Sequence, residues 1–220
     1  MVRNKPGPMQ QERIFTVTSL AKQEKRSWRT SIFINGAFWR AFDTETIVEL
    51  GLFEGQKLLK NELSQLDHAL EKRHAVQRAV LLLSYRPRST SELSDRLSKI
   101  GFSPDIVDEA IGELQHMGYL DDETFAQSWI RSRMDFGLYG SRRIRQELRL
   151  KGISDDVISD KLEENTSAED EYERAKKLAE SKLSSYKDLD RNTSFRRLSQ
   201  FLLRRGYSPS TVYDVCKSVL

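Results

Sequence analysis

The sequence predicts a mainly α-helical protein: three tandem three-helix, helix-turn-helix-like repeats in an elongated array, preceded by a small N-terminal β-rich segment of three strands. Three observations predict it. One pattern recurs at Leu97 to Val107, Leu148 to Ile158 and Leu202 to Val212, with its central glycines 51 and 54 residues apart. A fixed period of this length marks repeated supersecondary units. Apolar residues follow helical spacing through much of the chain, as in Leu59, Leu63, Leu66 and Leu70. Asn35-Gly36 sits between two strand-like runs. A two-residue hairpin turn wants positive φ at both centres, and this pair supplies it.

Taken in order, residues 1–12 lack the apolar centre of a signal peptide and read as a mobile basic arm. Residues 13–54 are the β-rich segment. Ile14, Phe15 and Val17 open it, and Lys22 to Arg26 makes a polar turn. Trp28, Thr30, Ile32 and Ile34 then alternate with Arg29, Ser31 and Phe33, the period of a half-buried strand. Ala37 to Phe42 returns as its partner. The aromatics Trp28, Phe33, Phe38, Trp39 and Phe42 read as cross-strand pairs and core. Their other use would be a stacking platform for bases. Asp43-Thr44-Glu45 opens a short helix that Gly51 ends. Residues 55–74 are a linking helix, with Gly55 to Arg73 carrying the stripe Leu58, Leu59, Leu63, Leu66 and Leu70.

The repeats follow, over 75–118, 119–165 and 166–220. Leu93, Ile144 and Leu198 stand eight residues before their glycines, and Leu97, Leu148 and Leu202 stand four before. Each glycine is followed by an apolar residue and a Ser that can cap the next helix. Pro104 and Pro209 come next, where a missing N–H costs nothing. Ser89 and Glu92 form a candidate capping box after Pro87. Asp121-Asp122-Glu123 reads as helix capping, with a metal site as its other use.

The centre of the chain is Phe125 to Ser154. Phe125, Trp129 and Ile130 form a buried helix face. Gly137 and Gly140 bracket a turn, Ser141 caps a second helix, Ile144 and Leu148 seat it, and Gly152 ends it as a left-handed cap. Arg142, Arg145 and Arg149 form a separate stripe on that helix. Arg142-Arg143 align with Arg196-Arg197 of the third repeat, whereas the first repeat has Ser91-Glu92. Repeats two and three therefore read as the basic surface.

Phe125-Ala126, Gly140, Arg143-Ile144, Glu147-Leu148 and Lys151-Gly152-Ile153 resemble the core signature of the RecX family, regulators of the RecA recombinase. Tyr119-Leu120-Asp121-Asp122 also fits, and the resemblance runs from about Ala75 to Leu220. It implies a non-enzymatic modulator of recombination, DNA repair and the SOS response. Such a protein binds the RecA–DNA filament, lies in its helical groove and inhibits ATP hydrolysis and strand exchange. Single- or double-stranded DNA is a further implied partner. The basic cluster is carried over as the binding set: Arg131, Arg133, Arg142, Arg143, Arg145, Arg149, Lys151, Arg196, Arg197, Arg204 and Arg205. A helix-turn-helix transcriptional regulator is the alternative function.

Charge patterning agrees with a surface that meets a polyanion on one side. The net charge is only +3, but Arg131 to Lys151 holds seven basic and two acidic residues, and Ser154 to Arg174 holds nine acidic and two basic. Two solvated helix faces would give the same pattern. Cys216, the single cysteine, rules out a disulfide framework and is expected to be buried and inert. The sequence has no GxxxxGK, GxGxxG or HExxH. His68 and His74 cannot share a ligand-bearing helix face. No catalytic centre, cofactor or membrane contact is expected, and the chain reads as a cytoplasmic monomer.

Overall fold

A computed structural model describes residues 13–220; the mobile arm expected over 1–12 lies outside the described residues. The chain divides into two compact units, one comprising residues up to Arg78 with Gly101–Ala110, the other Ala79–Ile100 with Ile111–Leu220.

In the first unit, β1 (Phe15–Gln23), β2 (Arg26–Ile34), β3 (Ala37–Asp43) and β4 (Lys57–Leu58) form an antiparallel sheet in the order β3-β2-β1-β4. The alternation along β2 is realised, with Thr30, Ile32 and Ile34 buried. Asn35 and Gly36 take φ of 52° and 82°, and Asn35 Oδ1 accepts from the Thr16 N–H at 2.8 Å. Asp43 caps α1 (Thr44–Glu49), accepting from the Thr46 N–H at 2.8 Å. The core is Val17, Ile32, Ile34, Phe42, Ile47, Leu52, Leu58 and Leu70.

The aromatic set divides. Phe42 is buried, Trp39 packs against the core, and Phe33 meets Phe38 edge-to-face at 5.9 Å. Trp28 departs from its expected buried register and is 61% exposed. It sits near the β1–β2 turn, where Arg26 and Ser27 are exposed too.

The helix expected from Gly55 is displaced. Leu58 pairs with Phe15 in the sheet and joins the core as a strand residue. The helix α2 begins at Lys60 and runs 26 residues to Tyr85. Nothing in its sequence breaks it until Arg86-Pro87, and a residue before proline resists the helical region.

The remaining helices are α3 (Thr90–Ile100), α4 (Pro104–His116), α5 (Asp122–Asp135), α6 (Ser141–Leu150), α7 (Asp155–Asn165), α8 (Ala168–Leu183), α9 (Arg191–Arg205) and α10 (Pro209–Val219). Residues aligned by the repeat behave alike. Leu93, Ile144, Leu198, Leu97, Leu148 and Leu202 are all fully buried. Gly101, Gly152 and Gly206 take φ of 111°, 76° and 91°. Repeat two closes on Phe125, Ile130, Ile144, Leu148 and Ile158. Repeat three closes on Ala175, Ala179, Leu198, Leu202, Tyr207 and Val215, with Cys216 buried among them.

The turn before α6 differs from expectation. The positive φ falls on Leu138 (46°), while Gly140 has φ of −80° and is itself the helix N-cap. Glycine is required there for space, because a Cβ on Gly140 would strike the Gly206 carbonyl. Ser141 is the first residue inside the helix, and its hydroxyl donates to Glu171 Oε2 at 2.8 Å.

These contacts belong to a junction that occurs twice. The N-terminus of a repeat's middle helix docks on the glycine turn of the next repeat. Between repeats one and two, Ser89 Oγ donates to the carbonyl of Lys151 at 2.6 Å, and the Thr90 N–H donates to Asp122 at 2.8 Å. Between repeats two and three, the Gly140 N–H donates to the carbonyl of Arg205 at 2.9 Å, and the Ser141 N–H donates to Glu171 at 3.3 Å. Ser89 and Gly140 both stand twelve residues before their own repeat glycine; Lys151 and Arg205 both stand one before. At each junction an orphan carbonyl of one helix finds a donor, and an orphan N–H of the other finds a carboxylate. In repeat three the position equivalent to Thr90 and Ser141 is Phe195, one turn inside α9, where the helix already uses the N–H.

The acidic residues at the start of α5 are capping and junction groups. Asp121 accepts from the Glu123 N–H at 2.9 Å, Asp122 caps α3, and Glu123 pairs with Lys161 at 3.3 Å.

Two outcomes should follow. Gly101→Ala meets only the positive-φ penalty, about 1–2 kcal/mol, since nothing lies within 4 Å of its Cβ. Gly206→Ala should cost more, because its Cβ would lie 2.5 Å from the Arg143 backbone nitrogen. Gly152→Ala strikes only the Ser91 side chain, so Ser91→Gly should partly restore its melting temperature. Equal losses at all three glycines would contradict the junction. The second outcome concerns Glu92. Its burial works to raise the carboxyl, but hydrogen bonds from Arg86 and Lys151 outweigh it and hold it down to about 2. A carboxyl depressed by folding stabilises above its unfolded value and loses that contribution as pH falls through the folded one. Glu92→Gln should therefore cost roughly 1–3 kcal/mol at neutral pH. It should also flatten the acid limb of stability between about 4.5 and about 2, measured by denaturation across that range.

Candidate partner-binding surface

The predicted basic set comes together in repeats two and three, but its members do unlike work. Glu147, one turn from Arg143 on α6, gathers three donors: Arg133 Nε at 2.7 Å, Arg143 Nε at 3.1 Å and Trp129 Nε1 at 3.2 Å. Burial works against the Glu147 charge, yet these donors prevail and hold its carboxyl below the usual carboxylate value. The Arg133 guanidinium lies 4.1 Å from the Trp129 ring centre, and Lys151 Nζ lies 4.2 Å from the same ring. Lys151 also pairs with Glu92 at 2.8 Å, tying repeat two to repeat one. Arg143 lies over Tyr139, and Arg205 donates to the Gly137 carbonyl at 2.9 Å. Tyr207 is fully buried, its hydroxyl donates to the Leu138 carbonyl at 2.8 Å, and burial pushes that hydroxyl up to about 12.

The expected stripe on α6 splits. Arg145 donates to Ser159 at 2.9 Å and Arg149 pairs with Asp155 at 2.6 Å, both toward α7. Arg131 donates to Asn165 at 3.1 Å. Arg142 faces the other way, beside Gln146 and Leu150. Arg142, Arg196, Arg197 and Arg204 are exposed, and their guanidinium groups have no partner among the described residues. The alignment of Arg142-Arg143 with Arg196-Arg197 therefore hides a difference. Arg143 presses its Cβ against Gly206, as Ser91 does against Gly152, whereas Arg196 and Arg197 lie on the open face of α9.

Between α6 and the end of α9 lies an open groove of about 430 Å³, lined by Arg142, Gln146, Leu150, Leu203 and Arg204, with Tyr207 beneath. Leu150 is 82% exposed and Leu203 is 46% exposed. The basic count alone does not find this groove. A signal was present: Leu150 falls roughly 240° around α6 from Ile144, away from the core stripe.

No cluster of three or more His, Cys, Asp or Glu fit for a metal occurs among the described residues. Cys216 is buried, which raises its thiol, and lies 3.4 Å from Ser199 Oγ. No helix among the described residues is long and apolar enough to cross a membrane.

Three-helix units, joined by helix-end caps and open to solvent along a basic groove, define a tandem helical-repeat protein. The descriptions of the first, second and third three-helix domains of RecX match residues 75–114, 121–162 and 169–216. The regulatory protein RecX of Bacillus licheniformis is 30% identical over 208 residues, 93% of this chain and 76% of that protein. That of Bacillus subtilis is 31% identical over 204 residues, 93% of this chain and 75% of that protein. A crystal structure of regulatory protein RecX superposes with a TM-score of 0.74 at 27% identity, covering 93% of this chain and 99% of that one. RecX from Lactobacillus salivarius gives 0.63 at 25% identity, covering 68% and 96%. The chain belongs to the RecX family of regulatory proteins.

Charge reversal should separate the free arginines from the structural ones. Arg142→Glu and Arg204→Glu should leave the melting temperature nearly unchanged, since exposed charges contribute under about 1 kcal/mol each. Arg143→Glu should cost about 1–3 kcal/mol, because it places a second carboxylate beside Glu147. Equal thermal melts for all three variants would contradict this division.

Proposed function

We propose that this chain binds the RecA–DNA filament and restrains its ATP hydrolysis and strand exchange, as a non-catalytic modulator of recombination and DNA repair. The observation that carries this is the partition of basic charge. Junctions hold repeats two and three in fixed register, while Arg142, Arg196, Arg197 and Arg204 remain free to meet a partner. Arg makes bidentate bonds to phosphate and carboxylate alike, so a filament of protein and DNA suits it. A set of repeats in fixed register can also contact more than one protomer of a helical filament.

The transcriptional-regulator alternative is less well supported. A recognition helix presents its N-terminal residues to the major groove. The N-terminus of α6 is occupied by Arg205, Gly206 and Glu171. The first turn of α7 carries Asp155 and Asp156, which repel phosphate.

Titrating the protein into RecA hydrolysing ATP on single-stranded DNA should lower the rate, with loss of inhibition in the Arg196→Glu/Arg197→Glu variant. An unchanged rate at micromolar excess would defeat the proposal. On bare single-stranded DNA, each phosphate contact removed should flatten the salt slope by about 0.7. Affinity for one duplex 10³-fold or more above unrelated ones would instead favour the regulator.

A further inference from the structure

We propose that the groove between α6 and the end of α9 docks an acidic, leucine-bearing peptide segment of a partner protein. A carboxylate of that segment is held by Arg142 and Arg204, and a neighbouring aliphatic side chain rests on Leu150 and Leu203. The inference rests on repeats two and three being the binding surface, and it names the chemistry that this groove selects.

Three observations carry it. The groove is concave and about 430 Å³ in volume, within the range of pockets that hold a few side chains. Its two outward guanidinium groups have no acidic partner among the described residues, while the one carboxylate on its wall, Glu147, already accepts from Arg133, Arg143 and Trp129. It therefore presents uncompensated positive charge to whatever enters. Finally, two leucines lie open beside those charges, Leu150 at 82% exposure and Leu203 at 46%. A phosphate backbone gains nothing from exposed leucine, and a base would call for an aromatic face, which the rim of this groove lacks. An amphipathic acidic peptide satisfies both kinds of group at once, charge by bidentate pairing and leucine by burial.

The test uses the full chain without RecA. A short fluorescein-labelled peptide of leucines interleaved with glutamates is titrated by anisotropy, beside the same peptide with glutamine for glutamate and a labelled oligothymidylate. The acidic peptide should bind at least tenfold tighter than its glutamine counterpart. Arg142→Ser/Arg204→Ser should weaken it about tenfold or more, and Leu150→Ser/Leu203→Ser should do likewise, with melting temperatures unchanged. No binding, equal binding of the glutamine peptide, or indifference to the leucine pair would overturn the proposal. If oligothymidylate binding falls with the arginine pair alone while the peptide does not bind, the groove is a nucleic-acid surface and the proposal is wrong. Because RecA is absent, failure here leaves the filament reading standing, and loss of RecA inhibition elsewhere leaves a positive peptide result intact.

Discussion

The structure of the repeats depends on a small exchange of hydrogen bonds at each junction. A helix N-terminus carries N–H groups without intrahelical partners, and a helix C-terminus carries carbonyls without them. Here the N-cap residue of one repeat, Ser89 or Gly140, donates to the carbonyl just before the left-handed glycine of the next, at Lys151 or Arg205. A carboxylate from the next repeat's first helix, Asp122 or Glu171, accepts from the first N–H of the docked helix. The geometry requires close approach at each glycine. A Cβ on Gly206 would strike the Arg143 backbone, and one on Gly152 the Ser91 side chain. The same bond is made by a side chain at one junction and by the backbone at the other. The spacing therefore persists while the residue identities change.

The exchange also assigns work to charge. Much of the basic run in repeat two is internal: Lys151 holds Glu92, and Arg133 and Arg143 share Glu147, while Arg205 of repeat three closes the turn at Gly137. Much of the acidic run is internal as well, through the capping box at Ser167 and Asp170 and the Glu171 contact to Ser141. Opposed charge blocks that look like two faces in the sequence are partly interlocked in space. The positive charge left for a partner is smaller and more localised than the count implies. It lies on the open side of α9 and along the groove beside α6.

Such a layout suits a protein that acts by contact. Free arginines on fixed helices give up side-chain freedom on binding but no backbone freedom, and the groove adds apolar surface to their charge. Rigid junctions keep the spacing between these groups constant. That constancy is what the filament proposed as partner, with its own regular spacing, would require.

The sequence by itself determined the repeat, its period, its buried positions and its left-handed glycines. It also determined the Asn35-Gly36 hairpin and the RecX membership. These are local or periodic properties: a helix stripe, a turn that needs positive φ, an offset counted along the chain. Leu97, Leu148 and Leu202 were legible because every turn of a helix obeys the same geometry. What the tertiary structure alone decided is pairing at long range. Lys57–Leu58 became a fourth strand because Phe15 offered it an edge, and Ser141 turned from its own helix to Glu171, thirty residues away. Arg142 and Arg143 are neighbours in sequence, yet one is free and the other is bound. Helical rotation sends them to different surroundings, and only the folded chain brings Glu147, Tyr139 and Gly206 against Arg143.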